Sequence, residues 1–200
     1  MQRSTRPEDA ALWECAERHL VRYGHFFQPA IIASAQGSFM MTTDGRRLLD
    51  FASGQMSAIL GHSHPEITEV IRSQAGELVH LYSQLLSKPV IDLAEILAKI
   101  APGKLERVML LSTGGESNEA ALRMAKTATG RYETLALSRS WHGVTHGAAS
   151  VTFNSNRFGH GPAAPGSFVL PAPTPYRPAF TRDGKYDWEA ELDYGFELFD

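Results

Sequence analysis

The residues best suited to chemistry lie in a glycine-rich turn between a short apolar run and a helix-forming segment. Residues 112–119 read Ser-Thr-Gly-Gly-Glu-Ser-Asn-Glu. Glycines let a ligand approach the backbone closely, and the first turn of a helix offers unpaired N–H groups with a partial positive charge, to which Thr113 adds a hydroxyl. The turn therefore favours the binding of a phosphate group. Because it matches neither G-x-G-x-x-G nor G-x-x-x-x-G-K-[ST], a tight connection capped by polar residues explains it equally well.

Histidine and cysteine give weaker signals. His62 and His64 form one close pair, and His142 and His146 form another. Two histidines without a third ligand or an adjacent carboxylate make an incomplete zinc site, so neither pair is interpreted as a metal centre. The single cysteine, Cys15, cannot form an intrachain disulfide, which favours a reducing compartment. We therefore expect a cytoplasmic protein.

The composition is that of a globular protein without a strong charge. Of the 200 residues, 43% are hydrophobic and 20% are charged, and the formal net charge is -3. These values exclude a collagen-like or fully disordered chain and argue against nucleic acid or an anionic membrane as a partner. No apolar run approaches the roughly 18 residues of a membrane span, and the N-terminus lacks the apolar core of a signal peptide.

Hydrophobic periodicity and turn residues predict one hairpin and five helices. Residues 43–45 read Thr-Asp-Gly and separate two strand-like runs, residues 37–42 and 46–51, which is a strong hairpin signal. The predicted helices cover residues 7–23, a segment from Pro65, a segment from Pro89 to the break at 101–103, residues 116–129, and residues 187–200 with an apolar face at Trp188, Leu192, Phe196 and Phe199.

The middle of the chain predicts a βαβ unit. Residues 107–112 form a nearly all-apolar run, as expected for a strand covered on both faces of a parallel sheet, and residues 133–138 supply a second strand after the intervening helix. Residues 161–178 contain six prolines, which indicates an ordered, extended segment at a surface or an interface. The last helix has no Gly, Asn or basic C-cap, as expected of a chain cut inside a larger fold.

Three motifs together resemble a known family. The pattern in residues 112–126, followed by Ser-Trp-His-Gly at 140–143, resembles the class III (subgroup II) pyridoxal-phosphate aminotransferases of fold type I. Residues 50–65 and 138–145 are most similar to the 2,2-dialkylglycine decarboxylase branch of that family. The likeness covers essentially the whole chain.

The resemblance implies an α/β fold and a division into two parts. Residues 1–60 would form the N-terminal helix and hairpin segment of the small domain. Residues 61–200 would form an incomplete large domain, which binds pyridoxal phosphate and has a mainly parallel sheet.

The resemblance also implies the coenzyme-binding residues. Thr113, Gly114 and Gly115 would bind the coenzyme phosphate, in agreement with the interpretation of the turn given above. Trp141 would stack on the pyridine ring, and the alternative is a tryptophan that is simply buried. His142 would act as a further hydrogen-bond donor, and the alternative is a hydrogen-bonded loop residue.

Gln55 bears on the type of reaction. In the decarboxylase branch the matching glutamine orients the substrate carboxylate, so that loss of CO2 competes with loss of a proton. The alternative is a glutamine that ties down a turn between a strand and a helix. The implied activity is decarboxylation of a dialkyl amino acid coupled to amino transfer to the keto acid pyruvate. A non-decarboxylating ω-aminotransferase and a non-catalytic phosphate-binding or interaction module are the alternatives.

Two alkali-ion sites are implied in the same way, since oxygen donors suit hard cations such as K+ or Na+. The first would take the Leu81 carbonyl and the Ser83 hydroxyl. The second would take carbonyls of Ala98, Ala101, Pro102 and Leu105. Ala101 stands where the branch has threonine.

The groups that complete the reaction in this family lie beyond the equivalent of Asp200. They are the Schiff-base lysine, an aspartate that pairs with the ring nitrogen, and an arginine for the substrate carboxylate. The five lysines of the chain lie in other contexts: Lys88, Lys99, Lys104, Lys126 and Lys185. The chain alone is therefore expected to be inactive. Because active sites of the family form between subunits, the full-length protein is expected to be a homodimer or homotetramer.

Overall fold

The computed structural model describes residues 3–4, 6–22, 26–154 and 161–198. The chain divides into two compact units, residues 1–88 and 89–200. The first unit contains α1 (Pro7–His19), β1 (Ile32–Gln36), β2 (Phe39–Thr42), β3 (Arg47–Leu49), α2 (Ser53–Met56) and α3 (Pro65–Glu77). The assignment of residues 1–60 to a small domain and 61–200 to a large one stays a prediction.

Helix α1 is shorter than the predicted helix over residues 7–23. It ends at His19, because Leu20 adopts an extended backbone. Trp13 is buried, whereas Val21 is 97% exposed, so the residues beyond the helix have no surface on which a further turn would pack. Tyr23, the last residue of the predicted helix, lies outside the described residues.

The predicted hairpin is confirmed, and an additional strand extends it. Strands β2 and β3 pair antiparallel, with Gly45 in the turn at a φ of 84°. Hydrogen bonds from the Arg46 and Thr42 side chains stabilise the ionised Asp44 and lower its pKa to about 2. Strand β1, which the sequence did not predict, pairs antiparallel with β2. The resulting sheet has the order β1-β2-β3.

The remaining elements begin at the boundary between the units. They are α4 (Lys88–Ile100), α5 (Gly114–Thr129), β4 (Thr134–Leu137), α6 (His146–Ser150), β5 (Ser167–Leu170), β6 (Thr181–Arg182), β7 (Lys185–Tyr186) and α7 (Trp188–Glu197). The predicted helix starts near Pro65 and Pro89 are confirmed. Helix α5 ends at Gly130, whose φ of 66° is the left-handed conformation that favours glycine at this position.

The predicted βαβ unit is wrong in its strand pairing. Residues 107–112 form no ladder with any strand in the part of the chain that the structure describes. A strand is stable only when a neighbour satisfies its N–H and C=O groups, and Met109 remains 60% exposed instead of covered on both faces. Strand β4 pairs in parallel with β5, which lies within the proline-rich segment. The apolar run therefore did not identify a paired strand.

The C-terminal helix packs through a different face from the one predicted. Glu191 and Gly195 are its buried residues, whereas Trp188 is 57% exposed. A Cβ on Gly195 would lie 2.8 Å from Cδ of Pro171, so the missing side chain allows α7 to approach the end of β5. Phe199, part of the predicted apolar face, lies outside the described residues.

Several helices keep exposed apolar side chains. Val70 and Ile71 on α3 are 59% and 62% exposed, and Ile96 on α4 is 55% exposed. Exposed apolar faces of this kind mark surfaces that pack against further protein. Among the described helices, none has the length and apolar character needed to cross a bilayer.

Candidate functional site

The N-terminus of α5 is organised by reciprocal hydrogen bonds. The Glu116 backbone N–H donates to Oγ1 of Thr113 at 3.1 Å, and the Thr113 backbone N–H donates to the Glu116 carboxylate at 3.0 Å. This capping box leaves the hydroxyl proton of Thr113 available to a ligand, because Oγ1 acts only as an acceptor within it. The local sequence thus builds the helix end and keeps one donor for another partner.

The two glycines of the turn provide the space and the further donors that a phosphate needs. A Cβ on Gly114 would meet nothing within 4 Å, so the backbone there borders open space. The Gly114 and Gly115 N–H groups lie in the first turn, where a helix leaves its amides without intrahelical acceptors. The residues therefore fit the phosphate of a coenzyme in both donor type and space.

The loop that carries Trp141 and His142 is held against this helix end. Gly143 has a φ of 127°, and a Cβ there would lie 2.7 Å from Cα of Gly115. Asn118 donates its side-chain N–H to the backbone carbonyl of His142 at 2.7 Å. The structure thus brings together all five predicted coenzyme-binding residues, Thr113, Gly114, Gly115, Trp141 and His142, on two adjacent segments of one unit.

His142 is fixed through its backbone and borders a cavity. Its N–H donates to Oγ1 of Thr152 at 2.9 Å, and the buried Thr152 hydroxyl donates to the Ala148 carbonyl at 2.8 Å. A cavity of about 480 Å³ between α5 and β4 is lined by His142, Asn118 and Ser140 among mostly apolar neighbours. The expected role of His142 as a donor to the coenzyme stays a prediction.

Trp141 is not the buried tryptophan of the alternative interpretation. It remains 46% exposed, which leaves part of the indole accessible to a flat ligand. The preceding residue is anchored, because Ser140 donates its hydroxyl to the Val151 carbonyl at 3.1 Å. Stacking of Trp141 on the coenzyme ring stays a prediction.

Glu119 is a structural component of the site to which the sequence analysis gave no role. Its carboxylate accepts hydrogen bonds from the backbone N–H groups of Gly147 at 2.6 Å and Ala148 at 3.4 Å. The nearby Thr145 side chain, together with these two amides, stabilises the ionised carboxylate and holds the pKa of Glu119 below its ordinary value. Glu119 therefore joins α5 to α6, which follows the loop of Trp141. Its position in the second turn of α5 was the available signal, but nothing in the sequence indicated its partners.

Gln55 lies in the first unit, within the short element α2, whose residues form a turn with a left-handed backbone and not an ordinary α-helix. Ser53, Gly54, Gln55 and Met56 have φ values of 47°, 57°, 60° and 71°. Three of these four residues carry a side chain, and the left-handed conformation is costly for such residues. Gln55 is exposed. The structure therefore supports a turn, as in the alternative interpretation, but one that presents the Gln55 side chain outward.

The predicted ion ligands lie at two chain turns. Leu81 and Ser83 belong to the connection between α3 and α4, where the Leu85 N–H donates to the Tyr82 carbonyl at 2.8 Å. The residues of the second site lie at or after the C-terminal end of α4: Ala98, Ala101, Pro102 and Leu105. Both ion sites stay predictions.

The comparison with family models identifies the class of protein. Residues 21–194 match the model of the class III aminotransferases. The chain belongs to this family. An uncharacterized aminotransferase of Schizosaccharomyces pombe is 52% identical over 195 residues, which cover 96% of this chain and 43% of the relative. A probable 4-aminobutyrate aminotransferase of Bacillus subtilis is 36% identical, over 79% of the chain and 37% of the relative.

Solved structures confirm the α/β fold type I prediction. An (S)-enantioselective ω-transaminase from Thermomicrobium roseum has a TM-score of 0.82 at 28% identity, over 98% of this chain and 47% of that one. A taurine:2-oxoglutarate aminotransferase from Bifidobacterium kashiwanohense, solved with PLP and glutamate, has a TM-score of 0.81 at 29% identity, over 100% and 45%.

The comparisons also mark what this aminotransferase chain shares with its relatives. It spans less than half the length of the curated relatives described above. The comparisons support membership of the aminotransferase family. They do not support the finer likeness to the dialkylglycine decarboxylase branch, nor a bound K+ or Na+.

Proposed function

We propose that the protein to which this chain belongs is a pyridoxal-phosphate-dependent aminotransferase, which moves an amino group from an amino donor to a keto acid. The carrying observation is the open space at Gly114 beside the Thr113 N-cap, together with the close approach of Gly143, in the loop of Trp141, to Gly115. The PLP-bound relative at 29% identity supports this choice of coenzyme. A cytoplasmic location and a homodimeric or homotetrameric assembly are further parts of the proposal.

The coenzyme cradle consists of Thr113, Gly114 and Gly115, which would hold the phosphate, and Trp141, which would hold the ring. The Thr113 hydroxyl and the Gly114 and Gly115 amides bind the phosphate, and the partial positive charge of the α5 N-terminus adds to the attraction. Trp141 stacks on the ring and limits its tilt. When bound, the coenzyme withdraws electrons from the substrate α-carbon and so makes the loss of a group from that atom possible.

The activity is proposed for the whole protein and not for residues 1–200 alone. None of the five lysines has the context that the resemblance requires of the Schiff-base lysine; Lys88, for example, is followed at once by Pro89 in the first turn of α4. We propose that this lysine and the ring-nitrogen aspartate belong to other parts of the protein.

Thr113→Ala is expected to weaken binding of pyridoxal phosphate by about 10- to 100-fold, because one charge-assisted hydrogen bond is worth about 1.5–3 kcal/mol. The measurement is titration of the apo full-length protein with pyridoxal phosphate, followed by the absorbance of the bound coenzyme. Pyridoxal, which lacks the phosphate, should bind both proteins equally.

Two variants make this test specific to the hydroxyl. Thr113→Ser keeps a hydroxyl and a good N-cap, so it should restore binding. Thr127→Ala removes a hydroxyl that donates to the Arg123 carbonyl at 2.9 Å on the same helix, and it should leave binding unchanged. Equal affinities of the wild type and Thr113→Ala for pyridoxal phosphate would rule out the cradle. A wild-type protein that binds no coenzyme would leave the non-catalytic module as the better description.

A decarboxylating reaction is the second candidate, and the outward-facing Gln55 on its left-handed turn favours it. An uncharged amide orients a carboxylate without pairing with it as a cation would, so loss of CO2 remains possible. Gln55→Ala is then expected to lower the ratio of CO2 release to amino transfer, by about tenfold for one hydrogen bond.

The measurement is release of labelled CO2 from 2-aminoisobutyrate, beside amino transfer to pyruvate. Gln74→Ala, at a half-buried glutamine on α3 whose amide donates to Glu77, is the matched control and should leave the ratio unchanged. An unchanged ratio in Gln55→Ala, or no CO2 from the wild type, would exclude this candidate and leave the plain aminotransferase.

A further inference from the structure

The turn that carries Gln55 needs support from outside itself. Four consecutive residues, Ser53 to Met56, have left-handed φ values, and only Gly54 adopts them without steric cost. A backbone of this kind persists only where its surroundings hold it in place. The apolar side chains near the turn give little such support, since Phe51, Met56 and Ile59 are 93%, 80% and 77% exposed.

Polar contacts supply the support at the start of the turn. Oδ1 of Asp50 accepts hydrogen bonds from the backbone N–H groups of Ala52 at 2.8 Å and Ser53 at 3.1 Å. These two amides lead directly into the left-handed residues, so the Asp50 carboxylate sets the direction in which the chain enters the turn. Its side chain is only 7% exposed.

The second carboxylate oxygen is occupied by a residue from the far end of the same loop. Nε2 of His62 lies 2.6 Å from Oδ2 of Asp50. His62 is itself anchored, because its backbone N–H donates to the Gly37 carbonyl at 2.8 Å and its carbonyl accepts from the Gly37 N–H at 2.9 Å. Gly37 lies between β1 and β2. The Asp50–His62 contact and the His62–Gly37 hydrogen bonds therefore attach both ends of residues 50–62 to the three-stranded sheet.

The backbone around His62 leaves it little freedom to move. A Cβ on Gly61 would lie 3.1 Å from Cα of Gly37, so the two backbone segments are close enough to favour glycine at position 61. Ser63 also donates its hydroxyl to the Ala35 carbonyl of β1 at 2.8 Å. The backbone that carries the His62 imidazole is therefore held in place where the imidazole contacts the Asp50 carboxylate.

We infer that Asp50 and His62 are positioning residues, which together hold residues 53–56 in the left-handed conformation and so determine where the Gln55 amide is presented. The link to substrate rests on the proposed function, and within it on the decarboxylating candidate, in which Gln55 meets a substrate carboxylate. The link to the backbone rests on the hydrogen bonds alone. Neither Asp50 nor His62 needs to touch the substrate.

The test compares two substitutions of one residue. His62→Ala removes the imidazole, whereas His62→Gln keeps an N–H donor close to the position of Nε2. In the full-length protein, amide hydrogen exchange of Ala52 and Ser53 should be about tenfold faster in His62→Ala, as expected when one restraint on a local opening is lost. His62→Gln should restore most of the protection.

A kinetic measurement separates positioning from general stability. In His62→Ala, KM for a carboxylate-bearing amino donor should rise about tenfold, because the hydrogen bond from a misplaced Gln55 is lost. The affinity for pyridoxal phosphate should stay unchanged, since the hydrogen bonds described above for Asp50 and His62 involve none of the residues proposed to bind the phosphate. His19→Ala, an exposed histidine on α1, is the control and should change neither quantity.

The outcomes distinguish this inference from the proposed function. Unchanged exchange of Ala52 and Ser53 in His62→Ala would overturn the inference, whatever the enzyme does. An unchanged KM together with faster exchange in His62→Ala would also overturn the inference, since Asp50 and His62 would then only stabilise the turn. A wild type that binds no coenzyme would overturn the proposed function, while the exchange comparison would still decide whether His62 holds the turn.

Discussion

Replacing Gly143 with alanine is expected to weaken binding of pyridoxal phosphate about 100-fold. The new Cβ would lie 2.7 Å from Cα of Gly115 and 3.4 Å from its nitrogen, and a backbone cannot rotate away as a side chain can. The φ of 127° also lies in a region that is unfavourable for residues with a side chain. The loop that carries Trp141 must therefore move off the N-terminus of α5, which separates the ring contact from the phosphate contacts.

The magnitude follows from the two contacts that would be lost together. Losing the stacking of Trp141 and one phosphate hydrogen bond amounts to about 3 kcal/mol, or about a 100-fold rise in Kd. Absorbance titration with the coenzyme measures this change, and a thermal melt of the same sample shows whether the variant is folded.

Gly130→Ala is the matched control for backbone strain. Gly130 also has a positive φ, 66°, but a Cβ there would meet nothing within 4 Å. This variant should lose about 1 kcal/mol of stability from strain, with coenzyme affinity unchanged. If Gly143→Ala binds coenzyme as tightly as Gly130→Ala does, the close approach of the two segments has no part in the site.

The features that could be predicted from sequence are those whose cause lies within a few residues. Thr113 and Glu116 form a capping box because both partners lie three residues apart, and the Asp44-Gly45 turn forms a hairpin because the turn residues alone allow it. Proline in the first turn likewise marked the starts of α3 and α4. The local structure of the proposed phosphate-binding turn belongs to this class, since three consecutive residues form it, whereas its binding of phosphate stays a prediction.

The features that could not be predicted depend on distant partners. Residues 107–112 look like a strand, but strand formation needs a neighbour, and β4 pairs instead with β5 from within the proline-rich segment. The predicted face of α7 was wrong for a similar reason. The apolar pattern favoured Trp188 and Leu192, whereas the helix contacts β5 through Gly195, where the lack of a side chain allows close approach.

The candidate site shows the same division. Gln55 could be chosen by resemblance, but its left-handed backbone could not be predicted. That backbone is supported by Asp50, which contacts His62, a residue twelve positions further along the sequence. Local propensity disfavours such a backbone at Ser53 and Gln55, so sequence reasoning expects an ordinary turn. The departure from local preference is itself informative, because proteins tolerate strain mainly where a function requires it.

Replacing Glu119 with alanine is expected to destabilise the unit that holds the coenzyme cradle and to weaken coenzyme binding. The Gly147 and Ala148 amides would lose their acceptor, at a cost of about 2 kcal/mol for hydrogen bonds to a charged group. For a cooperative unit of about 150–250 residues that corresponds to a fall in Tm of about 4–8 °C. Thermal melts of the apo protein measure this effect, and coenzyme titration shows whether the Trp141 loop is displaced as well.

The dependence on pH separates the charge of Glu119 from its shape. The pKa of Glu119 is lowered in the folded protein, so the stability that its ionised form contributes is present above the ordinary glutamate pKa of about 4.3 and is lost as the pH falls through the lower folded value. Glu119→Gln keeps an acceptor oxygen without the charge, so its difference in Tm from the wild type should be largest near neutral pH and should shrink on acidification. Glu106→Gln, an exposed glutamate outside this network, should show no such convergence. A constant difference between wild type and Glu119→Gln from neutral to acid pH would mean that the carboxylate joins α5 to α6 by its shape alone.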